Sequence, residues 1–596
     1  MSGLQHKGSL ETARGTAVRR TVRLEGAYSR TLDVARNRLV VAGIFFLLAF
    51  LVIGGRLVTL AAIGGGTERA AAGGSAWVAG RGDIFDRNGV LLATSLPTPS
   101  LYADPSEVLD PIETARRLMQ VFPDLDRTVL LNRLSRDCRF VWIRRNITPE
   151  EQHAVNWLGL PGLGFRIEAR RVYPHGSMVS HLVGFTNRAA RGVAGAESAF
   201  DAELAADLPV TLSVDVGVQS ILHQELMRTI KTFRAVGAAG VVLDAENGEV
   251  LAMVSLPDFD PNDPASGDEE LRFNRATQGV YEMGSTFKLF TAAMALDSGT
   301  VTLESGYDAS RPIRISRHTI RDFHPENRWL SVPEILVHSS NIGAAQMALD
   351  VGAGLQRKYL QQLGLLTAPG IELPEVGKPL QPGQWRDVNT MTIGFGHGIA
   401  VSPLQVASSV ATVVNGGVQH RPTIVRREAP RPLGEQVLSA RTSERMRAMM
   451  RLAVMRGTGT KADVPGLRVG GKTGTAEKLI GGRYNRSAKL VSFVGAFPID
   501  HPRYVVVAVV DEPKGTRETY GYATGGWVAA PAVGRIADRI APILGVEPVM
   551  ADIEEIKARE RGEHRIIPAV LRGDAPMTAF LRQAMAQARG RPGAAH

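Results

Sequence analysis

The sequence has a single cysteine, Cys138, in 596 residues, and aromatic residues make up only 6% of it. One cysteine cannot form an internal disulfide bond, and no Cys-x-x-Cys pair is present for a zinc or redox site. We therefore expect no structural zinc. With 44% hydrophobic and 21% charged residues, the composition is typical of a globular protein, and the length predicts two domains with additional segments.

The sequence also lacks a basic cluster of the kind that binds nucleic acid. Its net charge is +10, but half of that excess lies in residues 1–38, where eight basic residues face three acidic ones. The remaining chain has 61 basic and 56 acidic residues. A nucleic-acid-binding surface needs its basic residues together on a folded domain, so we expect no nucleic-acid partner.

Only one hydrophobic run is long enough to cross a membrane. It extends over residues 39–63, follows the basic residues 1–38 directly, and is interrupted once, by Arg56. A bilayer needs about 20 apolar residues, whereas the apolar core of a cleaved signal peptide has about 7 to 15. Because positive charge remains in the cytoplasm, we predict a cytoplasmic basic tail at 1–38, a transmembrane signal anchor at 39–63 and an external location for the rest. Arg56 would extend toward the membrane surface.

Two regions of different character follow a Gly- and Ala-rich linker at 64–80. The first, residues 81–234, has a turn pattern at 86–89 with amphipathic stretches and short strand patterns after it. It contains no set of residues that indicates catalysis. We predict a non-catalytic domain at 81–234, either a spacer or an interaction module.

The second region, residues 235–546, begins and ends with strand patterns. Asn247 and Gly248 separate two apolar strands in a hairpin pattern, and further strand patterns lie at 490–499 and 504–510. Helical patterns lie between them. This order predicts an α+β fold built on one antiparallel sheet with flanking helices and a helical insertion. Residues 547–596 form a charged C-terminal tail to which we assign no role.

Three short motifs of the second region carry chemistry, and the first is Ser285-Thr286-Phe287-Lys288. At the start of a helix, residues three apart share a face, so the Lys288 amine can lie beside the Ser285 hydroxyl. A serine hydroxyl is a weak nucleophile until a neighbouring base takes its proton. A buried lysine with a lowered pKa can be that base. Alone, this pattern arises by chance in a chain of this length.

The second motif is Ser339-Ser340-Asn341. A capping-box pattern at 331–334 starts one predicted helix, and another begins at Ile342. The motif therefore falls in the connection between two helices, where its side chains can point into a cleft.

The third motif is Lys472-Thr473-Gly474-Thr475, with a glycine on either side of its lysine and threonine. Glycines allow a ligand or another backbone to approach a strand closely. Residues 466–473 also match the pattern of a phosphate-binding loop formally. Neither a strong helix nor a second nucleotide-binding strand follows, so we reject a nucleotide site.

These three motifs, in this order, are the active-site set of penicillin-binding proteins and serine β-lactamases, and the second region resembles a penicillin-binding transpeptidase domain. The segments at 240–262, 273–288 and 394–407 resemble the family's flanking segments. RGDIFDRNG from Arg81, with the segments at 171–187 and 195–201, resembles the elongated pedestal domain of class B members. Met283 departs from the family, which often has proline there.

The resemblance is strongest to class B enzymes of septal, cell-division type, and the elongation type is the nearest alternative. No glycosyltransferase signature of class A enzymes precedes the second region, so polymerisation must come from a partner. The resemblance implies an inner (cytoplasmic) membrane protein, single-pass, with a periplasmic catalytic domain at the division septum. Its implied partners are peptidoglycan stem peptides, lipid-linked precursor strands, an FtsW-like membrane-embedded septal glycosyltransferase, other division proteins, and β-lactams as covalent inhibitors.

The resemblance also implies a role for each motif residue, with no metal or organic cofactor. Ser285 would attack the penultimate D-Ala of a stem peptide, and Lys288 would be its base. Ser339 would pass a proton to the leaving D-Ala, and Asn341 would orient Lys288 and the substrate amide. Lys472 would supply positive charge. The substrate-binding residues would be Thr473, Gly474 and Thr475.

Other function classes stay open at this point. A D,D-carboxypeptidase or a β-lactamase-like hydrolase would need a base that activates water, and no ExxLN element lies between Asn341 and Lys472. A membrane-anchored scaffold need not retain all three motifs. A penicillin sensor would carry a cytoplasmic signalling domain, for which residues 1–38 are too few.

Overall fold

The computed structural model of the chain describes residues 40, 41, 43–54, 80–315, 318–427 and 434–550. Residues 40, 41 and 43–54 are helical. In the part of the chain that the structure describes, no helix has both the length and the apolar character needed to cross a membrane. The remainder of the predicted anchor lies outside the described residues. So do the tail at 1–38, the linker at 64–80 except Gly80, and the C-terminal tail beyond Met550.

The first region is built on a five-stranded sheet. The strands are β1 Ile84–Phe85, β2 Leu91–Ala103, β3 Val141–Arg144, β4 Leu163–Val172 and β5 Val210–Thr211. They lie in the order β3-β2-β1-β5, with β4 paired to β2. The β1–β5 pairing is parallel and the others are antiparallel. The predicted turn at 86–89 is confirmed, because the Asp86 amide donates to Val90 at the start of the return strand.

The first three of the following six helices cover one part of this sheet. The six helices are α1 Pro111–Val121, α2 Arg127–Leu134, α3 Pro149–Trp157, α4 Ser180–Val183, α5 Gly195–Ala199 and α6 Asp201–Ala205. Asp110 caps α1, and Thr148 with Glu151 forms a capping box on α3. A separate apolar core forms where Leu118 and Leu134 pack with strand residues such as Leu101, as the amphipathic patterns of the sequence predict.

A buried ionic cluster joins three segments of this region. The Glu197 carboxylate, fully buried, accepts from Arg81 Nε at 2.5 Å and from Arg171 Nε at 2.6 Å. Arg81 also contacts Asp201 at 2.7 Å. These four residues come from the three segments in which the sequence resembles a class B pedestal. The resemblance therefore coincides with a structural contact that fixes β1, β4 and α5 to one another.

The second region contains the predicted single antiparallel sheet. Its strands are β6 Gly237–Asp244, β7 Val250–Leu256, β14 Gly470–Ile480, β15 Arg483–Phe497 and β16 Tyr504–Asp511. They lie in the order β14-β15-β16-β6-β7. The hairpin at Asn247 and Gly248 and the two late strands are confirmed. Short strands complete the region: β8 Gly306–Asp308, β9 Ile313–Ile315, β10 His318–Ile320, β11 Trp329–Ser331, β12 Val418–Gln419 and β13 Glu435–Gln436.

Helices lie on both faces of the sheet. One precedes its first strand, one follows its last strand, and the others form the insertion between β7 and β14. They are α7 Val216–Phe233, α8 Lys288–Asp297, α9 Val332–Val337, α10 Asn341–Gln362, α11 Asp387–Ile393, α12 Pro403–Val414, α13 Ala440–Arg456 and α14 Ala529–Ile540. One apolar core includes α7 and α14 with one sheet face, and a second includes α8, α12 and α13 with the other. The helix predicted to begin at Ile342 extends in the structure from Asn341 to Gln362, across a non-helical residue at Gly352.

Candidate active site

Ser285 lies on a short turn that leads into a buried helix. Residues Gly284–Phe287 form one turn of 3-10 helix, and α8 starts directly at Lys288. Gly284 has φ +51°, and a Cβ there would meet the Thr475 carbonyl oxygen at 2.6 Å. Glycine is therefore required for β14 to approach the serine so closely. Met283, at the position where the family often has proline, is buried under this turn.

The Lys288 amine lies beside the Ser285 hydroxyl, as the spacing of the first motif predicts. Its Nζ is 3.0 Å from Ser285 Oγ, 3.1 Å from Ser339 Oγ and 2.7 Å from Asn341 Oδ1, and it also donates to the Ser339 carbonyl oxygen. Burial, and then the charge of Lys472, hold the pKa of Lys288 well below its usual value, although Asp322 opposes them. A neutral amine can accept a proton from Ser285.

The second motif forms the predicted connection between two helices. Helix α9 ends at Val337, Ser339 adopts the left-handed conformation with φ +57°, and α10 begins at Asn341. This conformation directs the Ser339 side chain to the two lysines: Lys288 Nζ and Lys472 Nζ lie 3.1 and 3.0 Å from its Oγ. Ser339 is thus the shared partner of both amines.

Asp322 is a residue of the site that sequence reasoning missed. Its carboxylate accepts from Ser340 Oγ at 2.7 Å and from the amide nitrogens of Asn341, at 2.5 Å, and Ile342, at 3.0 Å. It therefore caps α10 and fixes the turn that carries Ser339 and Asn341. No local pattern could have found it, because it lies 17 residues before Ser339 in an irregular loop.

The third motif lies on β14, an edge strand of the sheet. Lys472 is fully buried and donates to Ser339 Oγ and, at 3.1 Å, to the Thr473 carbonyl oxygen. Burial lowers the pKa of Lys472 to about 7. Thr475 Oγ1 accepts from the Gly525 amide at 3.0 Å, and Thr473 Oγ1 lies 2.6 Å from the hydroxyl of Thr458, a second residue that the motifs did not indicate.

Gly474 is the position at which the strand touches the nucleophile turn. A Cβ at Gly474 would meet Ser492 Oγ at 2.2 Å, the Met283 carbonyl oxygen at 2.5 Å and Thr286 Oγ1 at 2.6 Å. Any side chain would push β14 away from Ser285. The structure gives this residue a packing reason in addition to the substrate-binding role that the resemblance implies.

The structure therefore brings all the predicted site residues together from three distant parts of the chain. The arrangement has a hydroxyl nucleophile, a buried amine beside it, a second hydroxyl shared by two amines, and a strand edge whose amide groups border the serine. This set can perform acyl transfer through a covalent serine intermediate. Among the described residues, no group of three or more His, Cys, Asp or Glu side chains could hold a metal ion.

Comparison with protein families gives two matches that together cover most of the described chain. Residues 238–538 match the family described as the penicillin-binding protein transpeptidase domain. Residues 77–206 match the penicillin-binding protein dimerisation domain.

Comparison with individual proteins gives the same family. The chain is similar to a probable peptidoglycan D,D-transpeptidase FtsI of Caulobacter vibrioides, with 40% identity over 89% of this chain and 93% of that protein. It is 31% identical to peptidoglycan D,D-transpeptidase FtsI of Escherichia coli K12 over 78% and 84%. In fold it is similar to penicillin-binding protein 3 of Mycobacterium tuberculosis, crystallised with aztreonam (TM-score 0.61, 24% identity, 79% of this chain and 97% of that chain).

Proposed function

Because this chain belongs to the class B penicillin-binding proteins, we propose that it is a peptidoglycan D,D-transpeptidase that cross-links stem peptides during septal cell-wall synthesis. The observation that carries the proposal is the buried Lys288 amine, 3.0 Å from Ser285 Oγ and depressed in pKa. A lowered pKa favours the neutral amine, the form that can act as the base for a serine nucleophile.

In the first half of the reaction, Ser285 Oγ attacks the carbonyl carbon of the penultimate D-Ala and Lys288 takes the hydroxyl proton. The oxyanion lies between the backbone amides of Ser285 and Thr475, and each such donor lowers the barrier by about 3 to 4 kcal/mol in other acyl transferases. Ser339, which both amines contact, passes a proton to the nitrogen of the leaving D-Ala. The peptide bond breaks and an acyl-enzyme remains.

Binding of the stem peptide uses the strand edge. Protonated Lys472 attracts the terminal carboxylate, and the hydroxyls of Thr473 and Thr475 donate to it. Asn341 holds Lys288 through its Oδ1 and orients the substrate amide. In the second half, the amine of a neighbouring stem peptide attacks the acyl carbonyl, the bond to Ser285 breaks, and the serine recovers its proton.

β-Lactams present a strained amide with a nearby carboxylate, so we expect them to acylate Ser285 and to remain there. The relatives called FtsI are the basis for the septal role. An elongation role is the alternative: filamentous cells after depletion of the protein would indicate division, and rounded cells elongation.

The remaining features of the proposal follow from the sequence. Residues 39–63 anchor the chain in the inner (cytoplasmic) membrane with residues 1–38 inside. Residues 81–234 form the pedestal and 235–546 the periplasmic transpeptidase domain. An FtsW-like glycosyltransferase and other division proteins dock on the anchor and the pedestal. The glycosyltransferase supplies the nascent peptidoglycan strands.

The test is acylation of the full chain, solubilised in detergent, by a fluorescent penicillin. We expect label on Ser285 of the wild type that is released over hours, and no label on Ser285→Ala. Release within seconds would indicate that the protein is a hydrolase and not a transpeptidase. Label on Ser285→Ala, or none on the wild type, would refute the assignment.

A further inference from the structure

The loop at 321–328 contacts the residues directly before and directly after Ser339. Ser339 has φ +57°, a region that costs free energy for any residue with a Cβ and persists only where the surroundings impose it. After Ser339, the Asp322 carboxylate fixes Ser340 and Asn341. The contact before Ser339 comes from the same loop and has no part in the acylation steps described above.

That contact joins the side chains of Glu326 and His338. His338 Nδ1 lies 3.0 Å from Glu326 Oε1, and both side chains are one-third exposed. His338 is the C-cap residue of α9, with its amide donating to the Glu334 carbonyl oxygen. The pair therefore holds the residue directly before Ser339, at the point where the chain leaves the helix.

Glu326 is itself anchored to the start of α9. Arg328 lies 3.8 Å from Glu326 Oε2 and 3.0 Å from Glu334 Oε1. Glu334 completes a capping box with Ser331, and although burial opposes it, hydrogen bonds from Ser331 and Arg328 lower the pKa of Glu334. The side chains of Glu326, His338, Arg328 and Glu334 thus link the loop to both ends of the same short helix.

We propose that Glu326 is a positioning residue for Ser339, acting through His338; this inference rests on the proposed function. The Ser339 hydroxyl lies 3.0 and 3.1 Å from two fixed amines, so a small rotation of the turn breaks one or both hydrogen bonds. Because proton transfer to the leaving nitrogen depends on that geometry, loss of the Glu326–His338 pair slows acylation without removing any group that touches substrate.

The two possible roles of this pair predict different measurements. A partly exposed contact of this kind contributes little to stability even when both groups are charged, so a purely structural role predicts small effects on both unfolding and reactivity. A positioning role predicts a large effect on reactivity alone, because misplacement of a reacting group by a fraction of an ångström reduces the rate by about tenfold or more.

The experiment measures the second-order rate of Ser285 acylation by a fluorescent penicillin in the full chain. We expect Glu326→Ala to reduce this rate about tenfold and to leave the melting temperature nearly unchanged. Glu326→Gln keeps an acceptor for His338 and should stay within about threefold of the wild type. Glu304→Ala, at an exposed position of the same region, is the matched control.

A double-mutant cycle identifies the residue through which Glu326 acts. Ser339→Ala retains Ser285 and Lys288, so slow labelling over hours remains measurable. In that background we expect Glu326→Ala to have no further effect. An equal tenfold loss there, or a normal rate in the Glu326→Ala single variant, would overturn the inference. Neither result would affect the proposed function, which is tested separately by the labelling of the wild type and of Ser285→Ala.

Discussion

Two lysine amines share one hydroxyl at the centre of the site, and their pKa values assign them different tasks. Burial, and then repulsion from Lys472, depress the pKa of Lys288, while burial alone lowers the pKa of Lys472 to about 7. Burial and a neighbouring charge both act against the protonated form of Lys288, whereas only burial acts against that of Lys472, so we assign Lys288 as the base and Lys472 as the cation. Acylation requires a neutral Lys288 together with a charged Lys472.

The rate of Ser285 acylation should therefore depend on pH as a bell. At low pH the rate falls because Lys288 is protonated and cannot accept a proton. Above about pH 7 it falls because Lys472 loses the charge that binds the carboxylate. The second-order rate constant with a fluorescent penicillin, measured from pH 4 to 9, reports these free-enzyme pKa values.

Lys472→Met is the control for this profile. The substitution should lower the acylation rate at every pH. It should also remove the decline above about pH 7, because no amine at position 472 is then left to lose its charge. A rate that rises steadily up to pH 9 in the wild type would contradict the assignment of the two amines.

Single residues were predictable where chemistry imposes local spacing. Ser285 and Lys288 lie three apart, so the spacing predicts that they share one face, and the two other motifs were needed to identify that contact as a site. Asp322 could not be predicted, since its contacts to the start of α10 depend on a loop that only tertiary packing places there. The left-handed conformation of Ser339 could not be predicted from the sequence either, because serine has no general preference for it.

At the scale of elements, the contact of β14 with the nucleophile turn limits the side chains that either can carry. Gly474→Ala should push the strand off the turn, since the new Cβ would lie 2.2 to 2.6 Å from three oxygen atoms. We expect the acylation rate to fall at least tenfold and the free energy of unfolding to fall by about 1 to 3 kcal/mol.

Both effects of Gly474→Ala can be measured on one preparation, by penicillin labelling and by urea denaturation. Gly383→Ala is the matched substitution, because a Cβ there meets no atom within 4 Å. Normal labelling of Gly474→Ala would mean that the strand tolerates displacement and that its position does not set the reactivity of Ser285.

Elements with a strong local pattern were predicted, and their pairings were not. The hairpin at Asn247 and Gly248 and the strands after Leu490 are evident from turn residues and apolar runs. β16 pairs with β6, which lies more than 250 residues earlier in the sequence. The prediction of a single sheet implies that these strands share it, but not that they are neighbours. The full lengths of β14 and β15 could not be predicted, because their outer ends are exposed and, apart from Leu479 and Ile480, largely polar.

At the scale of the whole molecule, the Glu197 cluster tests how the first region is held together. Glu197→Ala would leave the guanidinium groups of Arg81 and Arg171 buried without their main partner. Removal of one member of a buried ion pair costs about 3 to 5 kcal/mol, and we expect that loss in urea denaturation. Glu113→Ala removes a carboxylate that also contacts two arginines, but at the surface, and should have little effect. Equal stability of the two variants would show that the buried cluster is not required.

Helix α7 makes the most demanding test of how the two regions depend on each other, because it precedes the predicted boundary at 234/235 yet packs on the sheet that follows it. Val218, Leu222, Leu226 and Phe233 are buried there with residues of β6 and α14. Gln219 exchanges two hydrogen bonds with the backbone of Met253, at 2.8 and 2.9 Å. Burial of each such apolar side chain is worth about 1.5 to 3 kcal/mol, so losing four approaches the whole stability of a domain, about 5 to 15 kcal/mol.

A fragment of residues 235–546 should therefore fail to unfold cooperatively, whereas residues 80–550 should show one cooperative transition. A third fragment that starts at 207 restores α7 and should recover at least part of that transition and of the penicillin labelling. Thermal denaturation of the three fragments distinguishes the cases. If the fragment from 235 melted at the same temperature as the longest one, α7 would be an attached helix and not part of the catalytic fold. If cooperative unfolding and penicillin labelling both require α7, this helix belongs to both regions. A force or partner that acts on the first region then reaches the sheet that carries Lys472 through α7.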